Sequence, residues 1–194
     1  MADQKISAMP SAATLTGAEL VPMVQSGANV QATIATLRGF AADYGAWSDS
    51  TDQTGNISAG TVITFNTIDV ADGLTLVDNS KITVANAGIY SLQFSAQFKN
   101  TDNEQHVVTV WLRIDGSDLA NSATQYTVPA RKSAGIFGFN VASLTFMLDL
   151  TAGQYVQVVW VPESTSVTLE HLPASVSPAY PAIPSIIASM MQVA

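Results

Sequence analysis

The 194-residue chain contains no cysteine. That absence excludes disulfide scaffolds, thiol nucleophiles and thiolate-held zinc or iron–sulfur centres. Charge is the next scarcity: Asp, Glu, Lys and Arg make up 11% of the residues, against about 25% in an ordinary soluble domain. Basic residues are scarcest, with 7 Lys and Arg against 15 Asp and Glu and a formal net charge of −8. Seven scattered cations do not neutralise a run of phosphates, so nucleic acid is not an expected partner. Acidic lipid is disfavoured for the same reason. No stretch reaches the roughly 18 consecutive apolar residues of a spanning helix, so no membrane insertion is expected. Residues 1–10 hold a single Lys and no apolar core, and read as no secretory signal.

Hydrophobic residues, by contrast, make up 47% of the chain, which excludes disorder. The length suits one domain with a small appendage. A surface this poor in charge must be coated with Ser, Thr, Asn, Gln and Ala, or be partly hidden against copies of itself.

Two textures divide the chain, at residues 1–45 and 46–194. The first block is rich in Ala, Thr, Ser and Gly. Glu19 to Gln25 is a short extended run whose Pro22 places it at an edge. Ser26-Gly27 signals a turn. Thr33 to Tyr44 is the one stretch with helical spacing, with Ile34, Leu37 and Phe40 or Ala41 on one face.

The second block is a series of β-type runs. Turn signals separate them at Ala71-Asp-Gly73, Asp78-Asn79, Ala87-Gly88, Asn100 to Asn103, Asp115-Gly116 and Ala152-Gly153. From Tyr90 to Phe98 the residues alternate, with Tyr90, Leu92, Phe94, Ala96 and Phe98 on one face and Ser or Gln on the other. Leu144, Phe146, Leu148 and Leu150 mark a second alternating strand. The runs 107–114 and 155–161 are apolar on both faces. A sandwich core covers one face, and a neighbouring subunit, loop or sheet must cover the other. Trp111, Tyr155, Val159 and Trp160 are therefore candidate contacts between subunits, with ordinary core packing as the plainer alternative. Residues 172–184 carry four prolines and read as an extended arm or surface loop. Ile186 to Val193 is a last strand. Eight or nine such strands predict an all-β sandwich, and no alternating helical patterns support α/β.

Chemistry is thinly represented. His106 and His171 lie near Glu104 and Glu170, but no His-x-His or His-x-x-x-His pair occurs, and no metal site is expected from them. Asp115, Asp118 and Asp149 are the carboxylates available for acid–base work. Asp115-Gly116 is accounted for by a hairpin turn, and Asp149 by an exposed strand position. Asp69, Asp72 and Asp78-Asn79 offer oxygen ligands for a hard cation, without EF-hand spacing. There is no Gly-x-Ser-x-Gly elbow. Gly135-Ile-Phe-Gly-Phe139 precedes a strand and so is no phosphate loop. The expectation is a non-enzymatic protein with no catalytic residue, no metal and no cofactor.

Two stretches carry resemblances. Lys5 to Gln25, with Ala32 to Leu37, resembles the N-terminal segment common to tailed-bacteriophage fibre and decoration-type proteins. Leu15, Thr16, Gly17, Glu19, Leu20, Val21, Pro22 and Leu37 carry that likeness. The second stretch includes Phe65-Asn66, Ile82 to Tyr90, Leu92-x-Phe94, Trp111 to Gly116, Leu150-x-Ala-Gly153 and Val156-x-Val158. It is similar to the jelly-roll of the complement C1q and tumour-necrosis-factor superfamily, with Gly88 and Tyr90 in matching places. Pro181 to Ile187 looks like the tail of small phage proteins of this type.

The resemblances imply a jelly-roll β-sandwich at 46–194 and an attachment segment at 1–45. They imply a homotrimer located in a virion, contacting capsid or tail proteins as a head fibre or decoration protein. The alternative is a tail-fibre or adsorption component that binds a host surface glycan. The Pro-rich 172–184 segment is longer than a simple C1q-like domain requires.

Overall fold

The computed structural model describes residues 16, 18–34 and 42–194. The chain divides into two compact units, Met1–Ala41 and Ala42–Ala194.

The first unit holds a hairpin of β1 (Leu20–Gln25) and β2 (Ala28–Thr33). Six antiparallel pairs run from Leu20↔Thr33 to Gln25↔Ala28. Ser26 (φ 52°) and Gly27 (φ 76°) make the turn. Positive φ at both central residues is the geometry that matches the twist of a two-residue hairpin. The helix expected over 33–44 meets a different arrangement at both ends. Thr33 closes β2, Tyr44 opens the next strand, and Ile34 is the one described residue in helical conformation. Residues 35–41, Leu37 among them, lie outside the described residues.

The second unit begins with β3 (Tyr44–Asp49), β4 (Gln53–Thr54), β5 (Thr61–Val62), β6 (Thr67–Asp72), β7 (Leu74–Val77) and β8 (Lys81–Val84). It continues with β9 (Gly88–Asn100), β10 (His106–Ile114), β11 (Ser117–Asp118), β12 (Thr124–Val128), β13 (Gly138–Leu150) and β14 (Tyr155–Pro162). β15 (Val167–Leu169), β16 (Ser175–Val176), β17 (Ala179–Tyr180) and β18 (Ile186–Gln192) complete it. This unit is all-β.

Most strands fall into two antiparallel sheets. One runs β4-β15-β9-β18-β3-β6, with β13 on β9. The other runs β11-β10-β14-β8-β7, with β12 on β10 and β5 on β14. Eight strands pair in a nested order: β3 with β18, β8 with β14, β9 with β13, and β10 with β12. The nest is rolled up where β18 also joins β9 and β14 also joins β10.

Strand alternation fills one core from both sheets. Tyr90, Leu92, Phe94, Ala96 and Phe98 of β9 are buried, as their spacing requires. They meet Val156, Val158 and Trp160 of β14 in the same cluster, with the Phe98 and Trp160 rings 5.3 Å apart. The sheets curl toward each other where β12 meets β13. There the Tyr126 hydroxyl donates to Ser143 O at 3.3 Å, and Asn140 Nδ2 donates to Thr127 O at 2.7 Å. The result is partly barrel-like.

Part of the second apolar face of β10 and β14, at Trp111 and Val159, is covered from within the chain. β5 pairs with β14 at Val62↔Val159. Gly60 lies so close that a Cβ there would stand 2.5 Å from the Trp111 ring and 2.8 Å from Val159 Cγ1. Of the coverings open to these strands, this segment of the same chain supplies one.

Candidate functional site

Most of the polar residues singled out for chemistry are engaged in local structure. His106 stands between two carboxylates, with Nε2 2.9 Å from Asp102 Oδ2 and Nδ1 3.9 Å from Glu163 Oε2. The two nitrogens point to opposite sides of the ring, so these acids do not converge with it on one ion. The hydrogen bond from His106 holds the Asp102 carboxyl below the usual range, aided by the Asn103 backbone N–H. His171 is placed by its backbone N–H, which donates to Asp52 Oδ1 at 2.8 Å. Glu104 contributes its backbone oxygen, which accepts from Asn100 Nδ2. Glu170 pairs with Lys99 at 2.5 Å, and its Oε2 is buried without a partner.

The aspartates act similarly. Asp115 accepts from Gln154 Nε2 and the Tyr155 N–H. Asp118 accepts from Trp111 Nε1 at 2.8 Å and Arg113 Nε at 2.9 Å, and these bonds lower its pKa, Trp111 first. Asp78 pairs with Lys81 at 2.6 Å. Asp69 accepts from Ser48 Oγ at 3.4 Å. Asp72 and Asp149 are exposed strand residues. Among the described residues no three His, Asp or Glu side chains are grouped to hold a metal.

Two further carboxylates are buried, Asp43 and Asp49, and the first of them is the more connected across the chain. Asp43 is 6% exposed. It accepts from Asn86 Nδ2 at 3.1 Å and from the Tyr90 hydroxyl at 2.8 Å. Its backbone oxygen accepts from the Gln192 N–H at 2.7 Å. Burial, then the bond to Asp43, raises the Tyr90 pKa far above the usual tyrosine value. This cluster ties the start of the second unit to its last strand.

The attachment-like residues lie in the hairpin unit. The backbone N–H and hydroxyl of Thr16 both donate to Glu19 Oε1 at 2.7 Å, and the Ile34 N–H donates to Glu19 O at 2.9 Å. Leu20 and Pro22 are exposed and Val21 is half-buried. The register puts Val21, Met23, Val30 and Ala32 on one face. Leu15, Gly17 and Leu37 lie outside the described residues.

The four candidate subunit contacts are divided by the fold. Trp160 is fully buried in the core, and Val159 is fully buried on the opposite face of β14. Within the single chain neither reaches the surface. Trp111 and Tyr155 are half-buried.

An outward face with few charged residues lies on the other sheet. Its outward residues form rows across β13, β9, β18 and β3. One row is Met147, Ser91, Met191 and Tyr44; the next is Thr145, Gln93, Ser189 and Ala46; the third is Ser143, Ser95, Ile187 and Ser48. Charge returns at the margins, with Asp72 beside Tyr44, Asp69 bonded to Ser48, Asp149 near one end of β13 and Lys99 near one end of β9. A shallow hollow of about 260 Å³ opens on this face among Tyr44, Val70, Gln93, Ser189 and Met191. Outward positions of the second sheet carry Lys81 and Arg113 instead, each paired with an aspartate.

No family model matches this chain, and no curated protein sequence matches it.

Proposed function

We propose that the protein is a non-enzymatic structural component of a bacteriophage virion. It is a head fibre or decoration protein whose second unit is a C1q/TNF-like jelly-roll that forms a homotrimer, and whose first unit is the anchor. The observation that carries the reading is the β1–β2 hairpin. Leu20 to Ile34 contains no charged residue, and Leu20 and Val24 are 60% and 68% exposed. A two-stranded hairpin is at best marginally stable in water, so one with apolar residues turned outward suits a segment that orders against a partner. This agrees with the likeness of residues 5–37 to phage attachment segments.

The jelly-roll reading is supported by the nested strand order. A jelly-roll is a long antiparallel hairpin of eight strands wound into two sheets, and pairing first with last and fourth with fifth is what such winding produces. Light scattering should give a native mass of about 61 kDa, three times the 20.4 kDa chain. A label at the N-terminus should lie against the capsid in intact particles. A single-chain mass at micromolar concentration overturns the trimer.

The tail-fibre reading has one observation of its own. Leu172 and Ile183 exchange backbone hydrogen bonds at 2.9 and 2.8 Å, closing the base of an arm that carries β16 and β17. Val176 near its tip is 95% exposed. An arm of this kind suits contact with a host surface glycan. Labels found on the tail, with glycan binding lost when Val176 and Tyr180 are both changed to Ser, would favour this reading.

A further inference from the structure

We propose that the loop between β12 and β13 is a docking site for a short acidic peptide segment of another protein, one that carries Asp or Glu beside a large apolar side chain. The inference goes beyond the virion reading and does not depend on it.

Three observations carry it. The first is where positive charge is left unpaired. Of the Lys and Arg among the described residues, Lys81, Lys99 and Arg113 each pair with a carboxylate. Arg131 and Lys132 pair with no carboxylate among the described residues. In a chain with 15 acidic against 7 basic residues, these two neighbours are a local reversal of sign.

The second is that the loop is built to hold them. Gly138 lies so close to Pro129 that a Cβ there would stand 1.8 Å from Pro129 O, which pinches the base. The Lys132 N–H donates to Ile136 O at 2.9 Å, the Ile136 N–H donates to Ser133 O at 3.0 Å, and Gly135 turns with φ +80°. Arg131 is fixed twice. Its N–H donates to Asp102 O and its Nε to Asn103 Oδ1, both at 2.7 Å. That leaves the two terminal nitrogens of the guanidinium, a fork that fits a carboxylate with two parallel bonds. Of the acids on the neighbouring turn, Asp102 is engaged by His106 Nε2 at 2.9 Å and Glu104 is exposed.

The third is the apolar surface beside the cations. Ile136 is 55% exposed and Phe137 37%. The Lys99 ammonium stands over the Phe137 ring, 5.0 Å from its centroid, and steadies it. Charge and apolar surface side by side select the occupant. A folded partner needs about 800 Å² a side, more than four side chains present, so a short segment fits. An extended anionic membrane would meet the rest of a chain of net charge −8 and be repelled. A saccharide stacks on aromatic faces, and Ile136 has none while Phe137 gives one of its two to Lys99. The loop is also well placed. Gly138 pairs with Asn100 at the end of β9, whereas the unit begins near Tyr90 at the other end, roughly 30 Å away along the strand.

The test uses the full chain on an array of immobilised dodecapeptides. One set intersperses Asp and Glu with Leu, Ile and Phe, and a matched set carries Asn and Gln in their place. The acidic set should retain the protein at least about tenfold better. Arg131→Gln and Lys132→Gln should each weaken that retention about tenfold, and Ile136→Ser several-fold. Lys81→Gln, on the second sheet, should leave it unchanged. Arg131→Glu combined with Lys132→Glu should move retention to a set bearing Lys, a gain that a misfolded protein would not show. All variants should keep the wild-type thermal transition.

Equal retention by the acidic and amide sets, or acidic retention that survives both Gln variants, overturns the site. Polygalacturonate, or vesicles containing phosphatidylglycerol, bound more tightly than any acidic peptide and released by the same variants, would assign the loop to a saccharide or a membrane and overturn the peptide.

Discussion

Asp43 shows how much one side chain can organise. Its carboxylate is buried beside Tyr90 and Asn86, and Gly73 passes so close that a Cβ there would stand 2.0 Å from Asp43 Oδ1. Gly73 also has φ +71°, a conformation costly for any residue with a side chain. Gly73→Ala is therefore expected to destabilise the fold by about 2 kcal/mol or more, read as a lower midpoint in urea. Tyr90→Phe removes a buried donor from Asp43 and should cost about 1–3 kcal/mol.

The raised Tyr90 pKa also sets a pH dependence. The folded state keeps the phenol neutral, so its contribution is fully present below the unfolded value of about 10. It is lost as pH climbs from there toward the folded value. Thermal melts from pH 8 to 11 should show stability falling above pH 10, and less steeply in Tyr90→Phe. Asp43 carries no motif in the sequence: it lies before the first strand of its unit, at the end of a stretch with the helical spacing of Ile34, Leu37 and Phe40. Its partners are 43 and 47 positions away.

At the scale of elements, local chemistry was the most legible. Asp78, Asn79, Asp115, Gly116 and Gly153 all take positive φ, where turn-forming residues had been recognised. The alternation in β9 and β13 placed their faces correctly, because a period of two leaves no choice once one face is buried. β3, β6, β7 and β12 were harder to see. Tyr44-Gly-Ala-Trp-Ser-Asp49 has weak β-propensity, and it becomes a strand by pairing with β18, more than 130 residues later. Propensity yields to such tertiary pairing.

The two units should also separate by stability. A fragment of residues 42–194 is expected to keep a cooperative thermal transition, since its core draws on both sheets. Limited proteolysis of the free protein should cut within residues 16–34 first and leave that fragment intact. Equal resistance in both units would count against an anchor that orders on its partner. Phe98→Ala, which removes a ring packed on Trp160, should lower stability by about 3–5 kcal/mol, measured by urea denaturation.

At the scale of the whole molecule, the shortage of charge has consequences of its own. With a pI near 4.3, solubility should pass through a minimum close to that pH, visible as turbidity, because proteins without net charge associate. The sequence by itself determined a thiol-free chain and pointed to an all-β fold with apolar surface to hide, since these follow from residue types and their spacing along the chain.

Which surface stays open was decided only in three dimensions. The strands richest in apolar residues, β10 and β14, are covered in part by their own chain, where Gly60 lies against Trp111 and Val159. The milder Ser, Thr and Met pattern of β13, β9, β18 and β3 faces outward without such a cover among the described residues. Hydrophobicity is a property of a segment, but exposure depends on what a distant segment does, and sheet pairing across the length of the chain settles that.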